Sequence, residues 1–371
     1  MASSAFTKAE IEQQPSVWRA TRAVVTAARG EIDRLLAAAL ADPRTRIVLT
    51  GAGTSAYAGE LLAGELTRRL GRPVEAVPTT DLVTDPEAAA VPGRPMLLVS
   101  FARSGNSPES VAAAELVDRL ADPAHHLVIT CNAEGALSRR YTGAANATAI
   151  HLPPATNDRG FAMTSSFTSM VLAAYLSLAG DADVDALANA AETVLDNAAD
   201  IEKAVTTLAP DRIVYLGSGG LKGLAHEAAL KCLELTAGDV LALGESTLAF
   251  RHGPKAALTA DTLAAVFLSG DAYRRAYDLD LVRELVTSLG ADRVVVIGDE
   301  PYESGVAHWN VPRPPGTPDA LWAIAAVLTA QLTALACSLA RGHTPDDPFP
   351  AGEVNRVVRG VTIHHFGEGE D

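Results

Sequence analysis

Three ionisable residues at helical spacing carry the strongest chemical signal in this chain. Glu227, Lys231 and Glu234 are four and three positions apart, which places them on one face of a helix. A histidine, His252, follows in the loop-like segment 250–255. Two carboxylates, an ammonium group and an imidazole brought together could move protons on a small polar substrate. The spacing alone equally fits an exposed Glu–Lys ladder, which is worth about 0.2–0.5 kcal/mol per pair.

Composition limits the classes of partner. The 371 residues are 48% hydrophobic and carry a formal net charge of −15, which predicts about two domains with ample core and argues against nucleic acid. A phosphorylated small molecule stays possible if local donors bind its phosphate. Three cysteines lie far apart, which predicts neither a disulfide framework nor a zinc site and favours a cytoplasmic location: Cys131, Cys232 and Cys337.

One apolar stretch needs a separate interpretation. Segment 321–340 is nearly all apolar but contains Gln331 and several hydroxyl residues. We interpret it as a core or subunit-interface helix and expect no membrane partner. Segment 1–10 lacks the basic start and apolar run of a signal peptide, which also favours the cytoplasm. Long apolar helices predict a homodimer or a larger homo-oligomer.

The sequence contains an internal duplication. Residues 46–53, RIVLTGAG, recur as residues 212–219, RIVYLGSG, and Ser104-Gly105 recurs as Ser269-Gly270 at an offset that differs by one residue. In each copy, short Val/Ile/Leu runs alternate with longer helical segments. This alternation is typical of parallel sheets covered by helices on both faces.

We therefore predict an α/β fold of two tandem, doubly wound, parallel-sheet αβα sandwiches of flavodoxin-like type. The predicted divisions are an N-terminal helical segment, a first domain, a helical bridge, a second domain and a tail: 1–42, 43–180, 181–210, 211–342 and 343–371. Thr7 and Glu10 have the spacing of a helix capping box. In the tail, residues 357–363 resemble a strand, and we expect the acidic end to be disordered.

Two glycine turns in the first copy could bind a phosphate, since ligands of parallel sheets gather where strands end and helices begin. The second turn, residues 100–109, has Pro108 at the first helical position, and its hydroxyls would lie beside free backbone N–H groups. Ordinary helix capping is the alternative. The candidate phosphate-binding residues of the two turns are Gly53, Thr54, Ser55, Arg103, Ser104 and Ser107.

The first turn also supports a rival hypothesis. Gly51, Gly53 and Ala56 approximate a dinucleotide-binding fingerprint, and Glu75 follows as a possible ribose ligand. A nicotinamide-dependent dehydrogenase would use both. The fingerprint is short, and the hydroxyl-rich second turn has no role in that hypothesis.

Together these motifs resemble the double sugar-isomerase (SIS) domain proteins over nearly the whole chain. The resemblance is strongest to the group of tagatose-6-phosphate ketose/aldose isomerase-like proteins and galactosamine-6-phosphate deaminase/isomerases, and more distant to the isomerase half of glucosamine-6-phosphate synthase. Three segments carry the closer resemblance: residues 233–238 (LELTAG), 250–255 (FRHGPK) and 353–358 (EVNRVV).

The resemblance implies roles for individual residues. Glu234 takes the position of the carboxylate that carries a proton between sugar C1 and C2, and His252 that of a ring-opening histidine from a neighbouring subunit. Lys231 and Glu227 match active-site partners on the same helix. The remaining matches are phosphate contacts, a substrate-side hydroxyl and the neighbourhood of a tail lysine: Ser55, Ser104, Ser107, Thr164 and Arg359. Arginine at this last position cannot lose its proton and would act as a donor.

The expected function is therefore conversion of a 2-amino sugar 6-phosphate to a ketose 6-phosphate and ammonia. Dehydration or aldose–ketose isomerisation of an N-acetylhexosamine or hexose phosphate stays open, as does a non-catalytic sugar-phosphate sensor. We expect no cofactor and no metal, because the adjacent pair His364-His365 has no third ligand at suitable spacing.

Overall fold

The protein folds around two parallel sheets. The computed structural model describes residues 4–302, 305–358 and 360–367. The first sheet has the order β2-β1-β3-β4-β5, and the second has the order β10-β9-β8-β6-β7. The ten strands of these described residues are β1 (Arg46–Thr50), β2 (Val74–Ala76), β3 (Met96–Ala102), β4 (Ala124–Thr130), β5 (Ala147–His151), β6 (Arg212–Gly217), β7 (Leu241–Glu245), β8 (Thr262–Phe267), β9 (Val294–Gly298) and β10 (Ala307–Asn310).

The two sheets repeat one topology. Within each, the first strand along the chain lies between the second and the third, and every pairing is parallel. The central strands are apolar on both faces because helices cover both faces of each sheet; β3 and β8 are buried at every residue. The predicted fold class is confirmed, whereas the domain limits 43–180 and 211–342 stay a prediction.

Helices cover the sheets and join them. In the described residues they are α1 (Ala5–Glu12), α2 (Gln14–Ala27), α3 (Arg29–Ala39), α4 (Thr54–Leu70), α5 (Thr79–Thr84), α6 (Pro86–Ala89), α7 (Pro108–Leu120), α8 (Ala136–Tyr141), α9 (Ser165–Leu178), α10 (Val184–Asp196), α11 (Ala198–Leu208), α12 (Leu221–Leu235), α13 (Ala272–Leu289) and α14 (Asp319–Ala340). Short 3₁₀ turns span Pro154–Thr156, Ala249–His252, Pro254–Ala257 and Ala291–Arg293. The bridge predicted as helical forms α10 and α11.

The helix that bears the charged triad, α12, lies against both halves of the chain. It packs on β6, β7 and α14, and it also crosses α4 of the first half. Glycines permit this crossing: a Cβ at Gly220 or Gly223 would lie 2.6 Å from the backbone of Leu61 in α4. On its other side, a Cβ at Gly244 would lie 2.5 Å from the backbone of Ala225. Three glycines therefore set how closely α12 approaches its neighbours.

The apolar helix α14 is a core element. It is long and apolar enough to cross a membrane by length and composition, but 83% of its most apolar stretch is buried inside the protein. It packs against α9, α10, α11 and α12. Contacts with these helices, and with α1 and α4, explain its apolar composition.

Two local predictions are wrong. Thr7 and Glu10 form no capping box, because α1 begins at Ala5 and both side chains bind distant segments. Thr7 Oγ1 donates to Asp346 at 2.8 Å, and Glu10 accepts from the backbone N–H of Gly160 at 3.1 Å.

The predicted strand at 357–363 is also absent from the described part of that segment. Neither sheet extends an edge to it, and the tail follows the protein surface instead. The expected disorder of residues 368–371 lies outside the described residues. The three cysteines are buried and free, as expected of small apolar side chains.

Substituting Gly223 with alanine should weaken the packing between the two halves. The new methyl group would meet backbone atoms of Glu60 and Leu61, which cannot move aside as a flexible side chain can. Overpacking of this kind costs about 1–3 kcal/mol. Chemical denaturation should show a lower free energy of unfolding for Gly223→Ala.

The matched control is Gly64→Ala on α4, where the nearest side-chain atom lies 3.9 Å away and the position is exposed. There alanine should be neutral or stabilise by about 0.5–1 kcal/mol. Equal effects of the two substitutions would contradict the role assigned to this glycine.

Candidate active site

A buried ammonium group lies at the centre of the candidate site. Lys231 Nζ donates to Glu234 Oε2 in a short contact and to Thr54 Oγ1 at 2.9 Å, and it lies 3.5 Å from Glu227 Oε1. Thr54 is the first residue of α4, in the first half of the chain, whereas the other three belong to α12 in the second. The triad predicted from spacing is thus a tertiary cluster, not an exposed ladder.

Burial controls the protonation of Glu227. Its side chain is fully buried, and its carboxyl oxygens have no hydrogen-bond partner within normal geometry in the described residues. Loss of solvation raises the pKa of Glu227 to about 8, with the charge of Glu234 adding to this effect and Lys231 opposing it. The carboxyl group therefore keeps its proton near neutral pH.

Lys231 stays charged despite its burial. Loss of solvation acts to lower the pKa of Lys231, but the charges of Glu227 and Glu234 and the hydrogen bond to Glu234 outweigh it, so the net shift is upward. The side chain of Glu234 is 22% exposed and is the member of the triad that reaches the surface. The cluster thus has one carboxylate at the surface, that of Glu234, in contact with the charged ammonium group of Lys231.

A small cleft lies at the carboxyl ends of β1 and β3. Its volume is about 110 Å³. Hydroxyl groups, small residues, a guanidinium group and the C-terminal tail surround it: Ala52, Ser55, Phe101, Ala102, Arg103, Ser104, Gly105, Ser107, Ser110, Met163, Arg356, Val357 and Val358. Helices α4 and α7 both begin beside it, so their free N–H groups and positive dipole ends favour an anion there.

Local contacts hold the cleft loop in shape. Ser107 is the N-cap residue of α7 and Pro108 its first residue, as predicted. Ser107 Oγ donates to Ser110 Oγ at 2.6 Å, and Ser104 Oγ accepts from the backbone N–H of Asn106 at 3.2 Å. Ser104 Oγ therefore keeps its hydrogen for an oxyanion, whereas Ser107 Oγ would have to turn away from Ser110 to donate to one.

Arg103 links the cleft to the cluster and to the tail. It is buried and donates to the backbone carbonyls of Phe161 at 3.2 Å and of Arg356 at 2.6 Å. Burial lowers the pKa of Arg103, the charge of Arg356 lowers it further, and the negative charge of Glu234 opposes both. The guanidinium group thus lies within electrostatic range of the proposed base.

The structure brings most of the predicted residues together. Glu227, Lys231 and Glu234 cluster with Thr54, and the cleft beside them is lined by Ser55, Arg103, Ser104 and Ser107. Gly53 precedes α4 with φ of +55°, a left-handed conformation that favours glycine, and its Cα faces Leu230 of α12.

Two of the predicted residues lie apart from the cluster. His252 is exposed on a 3₁₀ turn and makes no hydrogen bond or ion pair within the described chain. Thr164 is buried at the N-cap of α9, and its hydroxyl donates to Asp158 at 3.2 Å. Arg359 lies outside the described residues. A substrate contact of Thr164 would require that hydroxyl to leave its carboxylate partner.

The sequence reasoning missed two groups. Tyr57 follows Thr54 by three residues on α4, and its ring centroid lies 5.4 Å from that of His226. Burial first and then the charge of Glu227 raise the pKa of its phenol. Nothing in the spacing of the sequence pairs α4 with α12. Arg356 lines the cleft from the tail; it belongs to segment 353–358, which the sequence analysis used as a family motif without a role.

The structure gives the acidic residue of the dehydrogenase hypothesis, the possible ribose ligand, another partner. Glu75 pairs with Arg46, the first residue of β1, at 2.7 Å, so its carboxylate is already bound. In the described residues, no three His, Cys, Asp or Glu side chains are grouped to hold a metal ion.

Comparison with known proteins assigns the chain to a family. The SIS domain family model matches residues 39–179. A relative from Streptomyces coelicolor, provisionally named D-galactosamine-6-phosphate deaminase AgaS, is 51% identical over 99% of this chain and 97% of its own length. A protein from Escherichia coli named D-galactosamine-6-phosphate deaminase AgaS is 44% identical, covering 98% and 96% of the two chains.

A solved structure agrees with these relatives. The crystal structure of tagatose-6-phosphate ketose/aldose isomerase from Escherichia coli superposes with a TM-score of 0.91, is 41% identical and covers 98% of this chain and 97% of that one. The two sheets and their helices therefore define a sugar-isomerase (SIS) domain architecture. The chain belongs to the SIS domain family, in the group that contains these AgaS proteins.

Substituting Glu227 with glutamine should change how stability depends on pH. The carboxyl group titrates near 4.5 when unperturbed and near 8 in the folded protein. The folded state thus binds more protons than the unfolded chain across this window, and this group makes the wild type less stable as pH rises through it. Glutamine mimics the protonated form and does not titrate. The melting temperature of Glu227→Gln relative to wild type should therefore increase from about pH 5 to about pH 9.

Glu202→Gln, at an exposed position of α11, is the control and should follow the wild-type profile. Thermal unfolding in a series of buffers provides the measurement. Parallel profiles for Glu227→Gln and wild type would show that folding does not raise the pKa of this carboxyl group.

Proposed function

We propose that this protein is an amino-sugar 6-phosphate deaminase/isomerase, which converts galactosamine 6-phosphate or glucosamine 6-phosphate to a ketose 6-phosphate and ammonia. The single observation that carries the proposal is the buried ammonium group of Lys231, which joins Glu234, Glu227 and Thr54 beside a hydroxyl-lined cleft. The names of the relatives favour the galactosamine epimer.

The cleft is the proposed phosphate site. Ser55, Ser104 and Ser107 supply hydroxyls, the first turns of α4 and α7 supply N–H groups, and Arg103 supplies a buried positive charge. Anchoring the phosphate far from the reacting carbons fixes the sugar chain relative to α12. Binding energy spent there raises the fraction of substrate held in a reactive orientation.

Glu234 is the proposed base for the isomerisation. In the ring-opened sugar it removes the proton from C2 and returns it to C1, so that the aldehyde becomes a CH₂OH group and the C2 amine becomes an imine. Lys231, charged and in direct contact with Glu234, stabilises the negative charge that develops on O1 in the enol intermediate. Glu234, on one face of the sugar, thus serves as the base for both proton transfers, from C2 and to C1.

Glu227 influences this chemistry through its contact with Lys231. It keeps its proton near neutral pH because burial raises the pKa of its carboxyl group to about 8. Lys231 is thus left with one charged carboxylate neighbour, Glu234, and a Thr54 hydroxyl. Water then adds to the C2 imine, and ammonia leaves to give the ketose.

Ring opening requires a further acid–base group, since Glu234 and Lys231 are already assigned to the proton transfer between C2 and C1. His252 is exposed, and an exposed imidazole can serve a neighbouring subunit. We therefore place His252 at the site of the adjacent subunit in a homodimer or larger assembly. A cytoplasmic location completes the proposal, since phosphorylated sugars are intracellular metabolites and the cysteines are free.

Ketose/aldose isomerisation is the second candidate. The observation that favours it is the name of the solved structure that superposes with a TM-score of 0.91, tagatose-6-phosphate ketose/aldose isomerase. The same base and cation would act on a sugar with a hydroxyl group at C2, and no ammonia would form.

Incubation with a panel of sugar phosphates tests the proposal. Galactosamine 6-phosphate and glucosamine 6-phosphate should release one ammonia per ketose formed, measured by a coupled assay and by NMR. Glu234→Gln should lower kcat by about 10²–10⁴ with little change in KM, because the substitution removes the base but leaves the phosphate site intact. Glu202→Gln should behave as wild type.

Three outcomes separate the candidates. Ammonia from neither amino sugar would refute the deaminase proposal. Turnover of a hexose 6-phosphate without change in mass would identify an isomerase, and loss of one water from an N-acetylhexosamine 6-phosphate would identify a dehydratase. Full activity of Glu234→Gln would remove Glu234 from the mechanism.

Mixed assemblies test whether His252 serves a neighbour. Homomers of Glu234→Gln and of His252→Ala should each be nearly inactive. If the two residues of one site come from different chains, assemblies refolded from a mixture should recover activity, because some sites then combine wild-type Glu234 with wild-type His252. An activity equal to the average of the two parents would place both residues of each site in one chain.

A further inference from the structure

The duplicated chain has a second version of the cleft loop, and that version is closed. Ser269-Gly270 follows β8, as Ser104-Gly105 follows β3, and these two strands occupy equivalent places in the two sheets. In the first half the loop borders an open cleft. In the second half, side chains of the protein itself fill the corresponding space.

The carboxylate of Asp319 binds to the loop at Ser269-Gly270 in the way that a ligand would. Asp319, the first residue of α14, accepts hydrogen bonds from Ser269 Oγ at 2.6 Å and from the Gly270 backbone N–H at 2.8 Å. It also accepts from Arg274 Nη2 and Arg313 Nη1, each at 3.0 Å. Two guanidinium groups, a hydroxyl and a loop N–H are the donors that bind phosphate groups in proteins.

A second carboxylate joins the two glycine turns of this half. Asp278 is fully buried in α13, accepts from the backbone N–H of Ser269 at 3.0 Å, and contacts Ser218 Oγ of the turn after β6. The matching stretch of α7 in the first half consists of alanines, residues 112–114. The first half thus has no internal carboxylate at the place where the second has one.

Arg313 keeps its position without help from Asp319. Its guanidinium group lies 4.2 Å from the ring centroid of Trp322, and Nη2 donates to the carbonyl of Leu268 at 3.1 Å. Its side chain is only 9% exposed, and its Nε has no hydrogen-bond acceptor in the described residues. The loop leaves room for it because a Cβ at Gly270 would lie 2.8 Å from the guanidinium carbon. The Nε atom lies 3.9 Å from Asp299 Oδ2, so Arg313 has several contacts with the protein that do not involve Asp319.

We propose that the second half contains an oxyanion site for phosphate that is occupied internally by the carboxylate of Asp319. The internal carboxylate locks this loop, and the cleft of the first half is left as the phosphate site proposed above. This inference concerns the second loop and does not rest on the reaction proposed above.

Removing the internal carboxylate should open the site to inorganic phosphate. Isothermal titration of Asp319→Ala should give one more bound phosphate per chain than Asp280→Ala, which removes the same charge from an exposed position of α13. The double variant Asp319→Ala/Arg313→Gln should lose the additional phosphate. Asp319→Asn, which fills the same space, should not bind it.

Equal phosphate counts for folded Asp319→Ala and Asp280→Ala would overturn the proposal. If Asp319→Ala does not fold in phosphate-free buffer, its refolding yield in phosphate is compared with that in chloride at equal ionic strength. Phosphate stabilises many proteins non-specifically, so the gain must exceed that of Asp319→Asn. The same gain for both variants would equally overturn it.

Discussion

The charge of Lys231 is the constraint on which the rest of the site depends. Removing an ammonium group from water costs several kcal/mol, and a buried cation persists only where nearby groups compensate that loss. Here the compensation comes from both halves of the chain: the carboxylate of Glu234 and the carboxyl group of Glu227 on α12, and the hydroxyl of Thr54 at the start of α4. A change that separates α12 from α4 would leave the cation without one partner. The contact between Lys231 and Thr54 therefore matters both for packing of the two halves and for the arrangement of the candidate site.

The two halves of the chain contribute different parts of the candidate site. The first half supplies an open, hydroxyl-lined cleft and the second supplies the helix with the ionisable groups. In the second half, the loop equivalent to the cleft is satisfied by Asp319 and Asp278. Internal carboxylates hold that loop, whereas the matching place in the first half is occupied by alanines and the first loop borders an open cleft.

Most of the architecture and part of the site could be predicted from local patterns. Doubly buried strands appear as short Val/Ile/Leu runs, glycine turns mark where strands meet helices, and the repeat of both signals predicts two equal sheets. The wrong prediction of a capping box concerns side chains whose hydrogen-bond partners lie in distant segments of the chain. Thr7 and Glu10 have the spacing of a capping box, yet each binds a residue more than one hundred positions away, because tertiary partners offered better hydrogen bonds than the helix end.

By itself, the sequence determined which residues share a helix face, where the glycine turns between strands and helices lie, and that the pattern occurs twice, since these properties depend on the spacing of neighbours along the chain. Only the tertiary structure decided that Glu227 is buried and protonated, that Thr54 is the partner of Lys231, and that Asp319 closes the second loop. These properties depend on which surfaces pack together. The solvation and Coulomb energies of a group depend on all the atoms that surround it in the folded protein. The periodicity of one segment does not indicate which other segment packs against it.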